Sequence, residues 1–247
     1  MLLDTFVFES AGGREYNEDA AGIRPVPGGA LCVLCDGLGG HRFGDLASKR
    51  ALESLTAAPP PAPEDDAAAW LTERLERANA DILALQKEKR SVMKSTAVAL
   101  LLRGRKAAWA HVGDSRLYYF HGGELISVTE DHSVAYRKFK AGEIRRGEIA
   151  TDPDQSSLLR ALGNAERHQC ALGETEEPLE PGDAFLLCSD GVWEYLPDGE
   201  ALLDLLKADS ARAWAELMLE RVLSRVGPGN DNLSLITVTV QGETDEA

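Results

Sequence analysis

The stretch Ala30–Gly37, ALCVLCDG, decides how this chain folds. Its short apolar run predicts a buried β-strand, and Asp36-Gly37 predicts the point where that strand leaves its sheet. Two further apolar segments end in the same way, since AAWAHV runs into Gly113-Asp114 and AFLLC runs into Ser189-Asp190. The sequence therefore predicts an aspartate at the end of three core strands.

A fourth aspartate, Asp231, precedes a further apolar segment, Leu233–Val240. If all four carboxylates meet at one sheet edge, this last strand must run antiparallel to the other three. Carboxylates about 4 Å apart repel by about 1 kcal/mol even in water, so a cluster needs a neutralising cation. Oxygen ligands without cysteine or histidine favour Mg²⁺ or Mn²⁺. For any one of the aspartates, an ordinary turn is the alternative.

The remaining pattern predicts antiparallel sheets covered by helices. Hairpin signals occur at Arg103-Gly104-Arg105 and Gly122-Gly123, and the segment Ala57–Asp66, AAPPPAPEDD, predicts a loop within one domain. The predicted strands are Thr5–Glu9, Ala30–Cys35, Thr96–Leu102, Ala107–Val112, Arg116–His121, Glu124–Val128, Asp183–Cys188 and Leu233–Val240. Helical spacing predicts helices over about 43–55, around Leu71, Leu75, Ala78, Ile82 and Leu85, and over Ala211–Val226.

Composition narrows the classes of function. The 247 residues carry a net charge of -15, which argues against a nucleic-acid partner. No secretory signal and no apolar run long enough to span a membrane are visible, so we expect a cytoplasmic protein. Cys32 and Cys35 form a C-x-x-C, but residues three apart on a strand point to opposite faces. We therefore expect buried thiols rather than a zinc or redox site.

Near the amino end lies the polar segment REYNED, Arg14–Asp19. Arg14 offers a planar set of donors suited to a phosphate group. Glu18 and Asp19 add carboxylates for a metal site. Taken alone, a solvated polar loop explains the segment better than a functional site does.

Together these residues resemble the metal-dependent protein phosphatase family, the type 2C serine/threonine phosphatases, and in particular its bacterial single-domain branch. The resemblance covers nearly the whole chain, in family order. Its seven motifs are R-x-x-x-E-D at Arg14–Asp19, D-G-L-G-G-H at Asp36–His41, V-G-D-S-R at Val112–Arg116, T-x-D-H-S at Thr129–Ser133, L-x-R-A-L-G-N at Leu158–Asn164, S-D-G-V-W at Ser189–Trp193 and D-N-L-S at Asp231–Ser234.

The resemblance implies a fold and a set of roles. The fold is α+β, a four-layer α/β/β/α sandwich of two antiparallel sheets with helices on both outer sides, formed by residues 1–247 as one catalytic domain with a flap at about 132–164. In this family pattern, Asp36 would bridge two metal ions, and Asp190 and Asp231 would be ligands of one of them. The Gly37 carbonyl would be a ligand of the other ion, with Glu18 and Asp19 in its shell. Arg14 would bind the substrate phosphate, and Asp114 with Asp190 would hold a third, weaker ion.

The resemblance also implies the reaction. Two Mn²⁺ or Mg²⁺ ions would supply a bridging hydroxide that attacks the phosphorus of phosphoserine or phosphothreonine in line. Cys188 and Ser189, beside Asp190, are then structural rather than nucleophilic. The implied partners are phosphoproteins and an opposing serine/threonine kinase, with no nucleic acid and no membrane, and a monomeric chain.

One departure from the family concerns the proton donor to the leaving group. Some relatives carry histidine after the first Asp-Gly, where this chain has Leu38, and we interpret His41 as a helix-start residue rather than the acid. Three alternatives remain: a stress-response phosphatase acting on an anti-sigma antagonist, an inactive relative that only binds, and a nuclease with paired metals. The acidic charge and the order of the motifs oppose the nuclease.

Overall fold

The computed structural model describes residues 2–39, 43–61 and 66–242. Within these ranges the strands are β1 (Leu2–Ser10), β2 (Asp19–Val26), β3 (Gly29–Leu38), β4 (Lys94–Ser95), β5 (Ala97–Arg103), β6 (Lys106–Val112), β7 (Arg116–His121), β8 (Glu124–Val128), β9 (Ala171–Glu174), β10 (Ala184–Cys188) and β11 (Leu233–Gln241). The helices are α1 (Phe43–Ala57), α2 (Ala67–Lys89), α3 (Val134–Lys140), α4 (Asp190–Trp193), α5 (Asp198–Leu205) and α6 (Ala211–Arg225), with a 3₁₀ helix at Arg146–Thr151.

The strands form two antiparallel sheets. One sheet has the order β1-β11-β10-β7-β8, and the other has the order β2-β3-β5-β6-β9, with the short β4 paired to β3. The hairpins predicted at Gly104 and Gly122-Gly123 join β5 to β6 and β7 to β8. The prediction of antiparallel sheets is confirmed.

Three apolar cores separate four layers. Alternate residues of β3 show the arrangement, because Cys32 packs against the other sheet whereas Cys35 packs beneath α1 and α2. On the opposite side, Trp214 of α6 lies in the core that covers the outer face of the five-stranded sheet. The four-layer α/β/β/α sandwich is therefore confirmed, and the two cysteines point to opposite faces as expected.

The structure differs from the prediction in the end of β3 and in several elements that were missed. We expected β3 to end before Asp36, but the strand continues to Leu38, because β2 and β4 extend the ladder on either side and Asp36 pairs with Asp19. The strand β2 itself was missed, since Gly22 and Pro25 weaken the strand pattern. The short elements β4, β9, α3, α4 and α5 were also missed.

The proline-rich connection lies between α1 and α2 as predicted, with its residues 62–65 outside the described ranges. Asp66 begins α2 as an N-cap, accepting hydrogen bonds from the backbone N–H groups of Ala68 and Ala69. The interpretation of His41 also falls outside the described residues. Among those described, no helix is long and apolar enough to cross a bilayer.

Candidate functional site

The four predicted aspartates gather at one end of the sandwich, but they come from both sheets rather than from one sheet edge. Asp36 lies in β3 and Asp114 follows β6 of the six-stranded sheet, where both strands run antiparallel to β5 and so end on the same side. Asp190 follows β10 and Asp231 precedes β11, which is antiparallel to β10 as predicted. Each of the other three acts electrostatically on Asp36.

The carboxylates in this cluster are short of positive charge. Burial, followed by repulsion from Asp19, Asp190 and Asp114, raises the pKa of Asp36 well above its ordinary value. Burial and the charge of Asp231 raise the pKa of Asp190 to about 6, and burial with repulsion from Asp190 also raises that of Asp114. Bringing these carboxylates together in the folded protein is therefore unfavourable in electrostatic free energy when they are ionised.

Asp19 lies deeper in this cluster than the sequence suggested. It is 4% exposed and stands opposite Asp36 in the β2–β3 ladder. The Ser189 hydroxyl donates a hydrogen bond to its carboxylate at 3.0 Å. Burial is the main cause that raises the pKa of Asp19 to about 7, and the hydrogen bond from Ser189 only partly offsets it. Ser189 thus holds an acid of the site, a role that its position beside Asp190 did not reveal.

A second group of oxygens forms around Gly37 and Glu18. Gly37 has no room for a side chain, because a Cβ there would lie 2.1 Å from the Gly44 carbonyl oxygen and 2.4 Å from that of Glu18. A Cβ on Gly44 would likewise meet the Gly37 carbonyl oxygen at 2.7 Å and Glu18 Oε1 at 2.8 Å. The Gly37 carbonyl and the Glu18 carboxylate therefore face one small space, which these two glycines keep clear of side chains.

Arg14 lies beside the cluster, on its open side. Its Nη2 donates to Asp231 Oδ2 at 2.9 Å, and both side chains are about half exposed. A cavity of about 390 Å³ lies here, between Arg14, Tyr16, Glu18 and Asp231. An anion that enters this cavity would find the Arg14 guanidinium at its wall.

Asn232 holds the segment around Arg14 in place. Its side-chain amide donates to the carbonyls of Ala11 and Tyr16, and its Oδ1 accepts from the Glu18 N–H at 2.8 Å. Sequence reasoning missed this residue as an organiser of the site. The signal was present, because Asn232 is the second residue of the D-N-L-S motif, but its partners are more than 200 positions away.

A buried ion pair lies next to Asp114. The Arg116 guanidinium donates two hydrogen bonds to Asp131, at 2.8 and 2.7 Å, and lies 3.6 Å above the Trp193 ring. The Trp193 Nε1–H donates to the Asp114 carbonyl at 2.9 Å. These three side chains fix the backbone on which Asp114 stands, and sequence reasoning had assigned none of them a role.

The donor set fits a hard divalent cation. Within residues 2–39, 43–61 and 66–242, no three carboxylate, histidine or cysteine side chains already converge as a complete set of ligands. Asp231 is engaged by Arg14. The available donors are nevertheless all oxygen, they include a backbone carbonyl, and burial together with repulsion between the acids raises their pKa values. A hard cation would supply the positive charge that offsets this repulsion.

Comparisons with known proteins agree with this reading. A profile described as protein phosphatase 2C matches residues 12–224. The serine/threonine phosphatase Stp of Listeria welshimeri is 30% identical over 233 residues, covering 91% of this chain and 90% of that protein.

Two solved structures share the fold. Stp1 from Staphylococcus aureus superposes with a TM-score of 0.87 at 27% identity, over 98% of this chain and 96% of that one. The catalytic domain of PstP in complex with 2 manganese ions gives a TM-score of 0.83 at 28% identity, over 97% and 99%. The family match over most of the chain shows that the protein belongs to the protein phosphatase 2C family, the metal-dependent serine/threonine phosphatases that act on phosphoproteins.

Proposed function

We propose that this phosphatase hydrolyses phosphoserine and phosphothreonine at the carboxylate cluster around Asp36. The observation that carries the proposal is the juxtaposition of acids short of positive charge with Arg14 on their open side. An acid cluster alone would only bind cations. Arg14 adds a group that binds the substrate anion, so the site suits a metal-assisted attack on a phosphate ester.

The ligand roles divide between two groups of oxygens. Asp36, Asp190 and Asp231 would hold one ion, while Asp36, the Gly37 carbonyl and Glu18 would hold the other, with Asp19 supporting Asp36 from beneath. Asp114 with Asp190 would hold a third, weaker ion. Two tightly bound ions, and manganese or magnesium as their identity, are part of this proposal.

When bound, such ions supply a hydroxide nucleophile near neutral pH and offset the charge of the phosphoryl oxygens. The chain's own groups do the rest. Arg14 would release Asp231 and donate to the substrate phosphate, which orients the ester and neutralises charge that develops on its oxygens. Ser189 keeps the Asp19 carboxylate directed at the cluster. Since no side chain attacks phosphorus in this scheme, no phosphoenzyme forms.

The rest of the proposal concerns the whole chain. We propose that residues 1–247 form a single catalytic domain, with residues 132–164 as a flap beside the active site that contributes to substrate choice. The chain would act as a monomer in the cytoplasm and oppose a serine/threonine kinase. Phosphoproteomics of a deletion strain would identify the phosphoproteins concerned.

The test removes the metal and one ligand separately. Chelator-treated protein should be inactive towards a phosphothreonine peptide and should recover with Mn²⁺ or Mg²⁺. Asp36→Asn should lose roughly 10³-fold or more in kcat and should not recover, because a neutral amide cannot neutralise the ions. Asp209→Asn, a change of the same chemistry at an exposed position, should behave as wild type. Full activity in excess chelator would refute the proposal.

Calorimetry counts the ions independently of turnover. Wild-type protein should bind two Mn²⁺ ions tightly, and Asp36→Asn should bind fewer, because Asp36 faces both groups of oxygens. An unchanged stoichiometry in this variant would remove Asp36 from the metal site.

A further inference from the structure

Two sequence motifs that the catalytic proposal does not use meet at the base of the flap region. His132, from T-x-D-H-S, donates its backbone N–H to the Gly113 carbonyl at 2.8 Å, and its own carbonyl accepts from the Leu159 N–H at 2.7 Å. Arg160, from L-x-R-A-L-G-N, follows directly. Its Nη1 comes within 3.4 Å of His132 Nε2 and within 3.3 Å of the Gln169 carbonyl oxygen.

The hydrogen bonds of His132 fix where its ring carries a proton. Its Nδ1 accepts the backbone N–H of Gly113 at 3.2 Å, and a backbone N–H can only donate. The proton of the ring must therefore sit on Nε2. In agreement, burial, and then the charges of His111 and Arg160, lower the pKa of His132 to about 3, so the ring is neutral.

The His132 Nε2–H and the Arg160 guanidinium consequently face each other as two donors. The Nε2–H of His132 cannot accept from the Arg160 guanidinium, so their 3.4 Å approach is not a hydrogen bond between these two groups. Arg160 Nη1 donates to the Gln169 carbonyl oxygen, so among the described residues it is the His132 Nε2–H that lacks an acceptor, while the Arg160 guanidinium keeps further N–H donors beside it. An oxyanion has the oxygens and the charge to accept from both groups.

The nearby acids do not supply that acceptor. Glu130 is paired with Lys140 at 2.6 Å, and Asp131 is paired with Arg116. Among the residues described, Arg160 itself makes no ion pair with a carboxylate. The Arg160 guanidinium therefore has no carboxylate partner among these residues, although the net charge of the chain is -15.

The space for a ligand is present beside these donors. A cavity of about 480 Å³ opens between β8 and β9, which are each an edge strand of one sheet, and both His132 and Arg160 line it. Trp109 and Leu172 form an apolar wall, and Leu172 is 50% exposed. The His111 ring, stacked on His132 at 4.7 Å between centroids, holds it from the other side. A carboxylate or phosphate group fits this volume with part of the chain that carries it.

We propose that Arg160 and His132 Nε2 form a binding site for an oxyanion, a carboxylate or a phosphate-like group, separate from the carboxylate cluster. The ligand is either a free oxyanion or an acidic side chain of the phosphoprotein substrate. The second source rests on the proposed function, whereas the first does not. In the second case Arg160 is a specificity-determining residue, which selects substrates with an acidic residue at a fixed distance from the phosphoamino acid.

Three variants separate the donors from the fold. Arg160→Gln removes the charge and most of the donors. His132→Asn keeps an oxygen near the position of Nδ1, able to accept from Gly113, but deletes the Nε2–H. Arg167→Gln is the matched control, since Arg167 is exposed on the same connection and its charge does not face the cavity.

The first experiment tests a free oxyanion with sulfate as the probe. In Mg²⁺-loaded protein labelled with ¹⁵N-histidine, the His132 Nε2 resonance should shift on titration with sodium sulfate at constant ionic strength, and the shift should saturate. It should be lost in Arg160→Gln and kept in Arg167→Gln. This spectrum reports on the site even if the enzyme cleaves none of the peptides offered.

The second experiment tests the substrate source. The probes are phosphothreonine peptides that carry either aspartate or asparagine at successive positions. At one position the wild-type enzyme should prefer aspartate by about five- to tenfold in kcat/KM, because one charge-assisted contact at a partly exposed site would give an effect of this size. This ratio should fall to about one in Arg160→Gln and His132→Asn, and persist in Arg167→Gln.

The two experiments together decide the inference. Loss of either the sulfate response or the aspartate preference in Arg160→Gln supports the site and identifies its ligand. If wild-type protein shows no saturable shift and Arg160→Gln leaves the peptide ratio unchanged at every position, the inference is wrong. Equal losses in Arg167→Gln would also overturn it, because they would show a general effect of charge. Failure to hydrolyse any phosphopeptide would instead count against the proposed function.

Discussion

The carboxylate cluster around Asp36 and the ion pair Arg116–Asp131 both lie at the same end of the sandwich, yet they treat buried charge in opposite ways. Asp131 meets a guanidinium in two hydrogen bonds, and the two side chains are 1% and 7% exposed. Asp36 meets other carboxylates, which together with burial raise its pKa well above the usual range. Asp114 of the cluster and Arg116 of the ion pair are only two positions apart in the sequence.

The difference indicates which group is structural and which is functional. The ion pair is complete within the chain, and the Trp193 ring stacked on Arg116 excludes water from it. The cluster is complete only with positive charge from outside. Breaking the pair should therefore cost stability, whereas changing the cluster should cost activity and affect stability in the opposite direction.

The largest effect is expected from breaking the ion pair. Arg116→Met leaves the Asp131 carboxylate buried without a partner, which typically costs about 3–5 kcal/mol in the free energy of unfolding. Urea denaturation of the Mg²⁺-loaded protein measures this loss. The double variant Arg116→Met with Asp131→Leu should recover much of it, because no charge then remains buried. If the single variant were as stable as wild type, the Asp131 carboxylate would not depend on Arg116 for its stabilisation, and the interpretation of the pair as structural would be wrong.

Arg14 provides the second test, on the functional side of the comparison. Charged hydrogen bonds contribute about 1.5–3 kcal/mol, so Arg14→Ala should lower kcat/KM by roughly ten- to a hundred-fold. Calorimetry should show that both tight metal ions still bind. Arg50→Ala, at an exposed position of α1, is a control that should keep wild-type kinetics. Unchanged kinetics in Arg14→Ala would take Arg14 out of the active site.

The pH dependence of the metal-free protein gives the third test. The folded-state pKa of Asp19 is about 7, above its unfolded value of 3.8, so the folded protein binds this proton more tightly than the unfolded chain does. The stability from this proton is therefore present at low pH and is lost as the pH rises through about 7. The pKa of Asp190 is raised to about 6 and acts in the same direction.

In the presence of a chelator, the Tm of the wild-type protein should thus rise as the pH falls from about 8 to about 5.5. The variant Asp19→Asn should have a higher Tm than wild type at the higher pH, by about 2–4 °C for each kcal/mol of repulsion removed. Thermal denaturation followed by circular dichroism measures both. Saturating Mg²⁺ should reduce this pH dependence, because the ions replace the protons. A metal-free Tm that falls over the same pH change would contradict the assignment of uncompensated charge.

Asp114 should give the smallest effect, because it stands between the two groups. If it holds only a third, weaker ion, Asp114→Asn should leave two tightly bound ions and raise the Mn²⁺ concentration needed for half-maximal activity. Loss of a tight ion in calorimetry would show that Asp114 belongs to the principal metal site. Its backbone should stay in place, since Trp193 contacts its carbonyl rather than its carboxylate.

The sequence predicted those site residues that are attached to recognisable strands. Asp114, Asp190 and Asp231 flank the apolar strands β6, β10 and β11, so their common end of the fold follows from strand direction. Asp36 lies near the other three aspartates, although it stands within β3 rather than beyond it. The hairpins and the amphipathic helices predicted antiparallel sheets covered by helices, and the family resemblance implied the four layers.

What the sequence did not reveal depends on contacts between distant positions. Asp19 is buried because β2 pairs with β3 in one register, and Ser189 reaches it from 170 positions away. The partner of Arg116 becomes apparent only once Asp131 is brought back beside β7. Local pattern carries no information about such pairs, because each half alone resembles an ordinary polar residue near a turn.

The placement of the thiols has a consequence for oxidative stress. Cys32, Cys35 and Cys188 are fully buried, and burial raises their pKa values, that of Cys32 to about 12. Peroxide attacks the thiolate, so these three sulfurs are shielded from conversion to sulfenic acid by both access and protonation. Phosphatases that use a cysteine nucleophile lose activity when that sulfur is oxidised. In this protein these three sulfurs lie inside the packed strands, so peroxide levels that silence a cysteine-dependent phosphatase should leave them reduced.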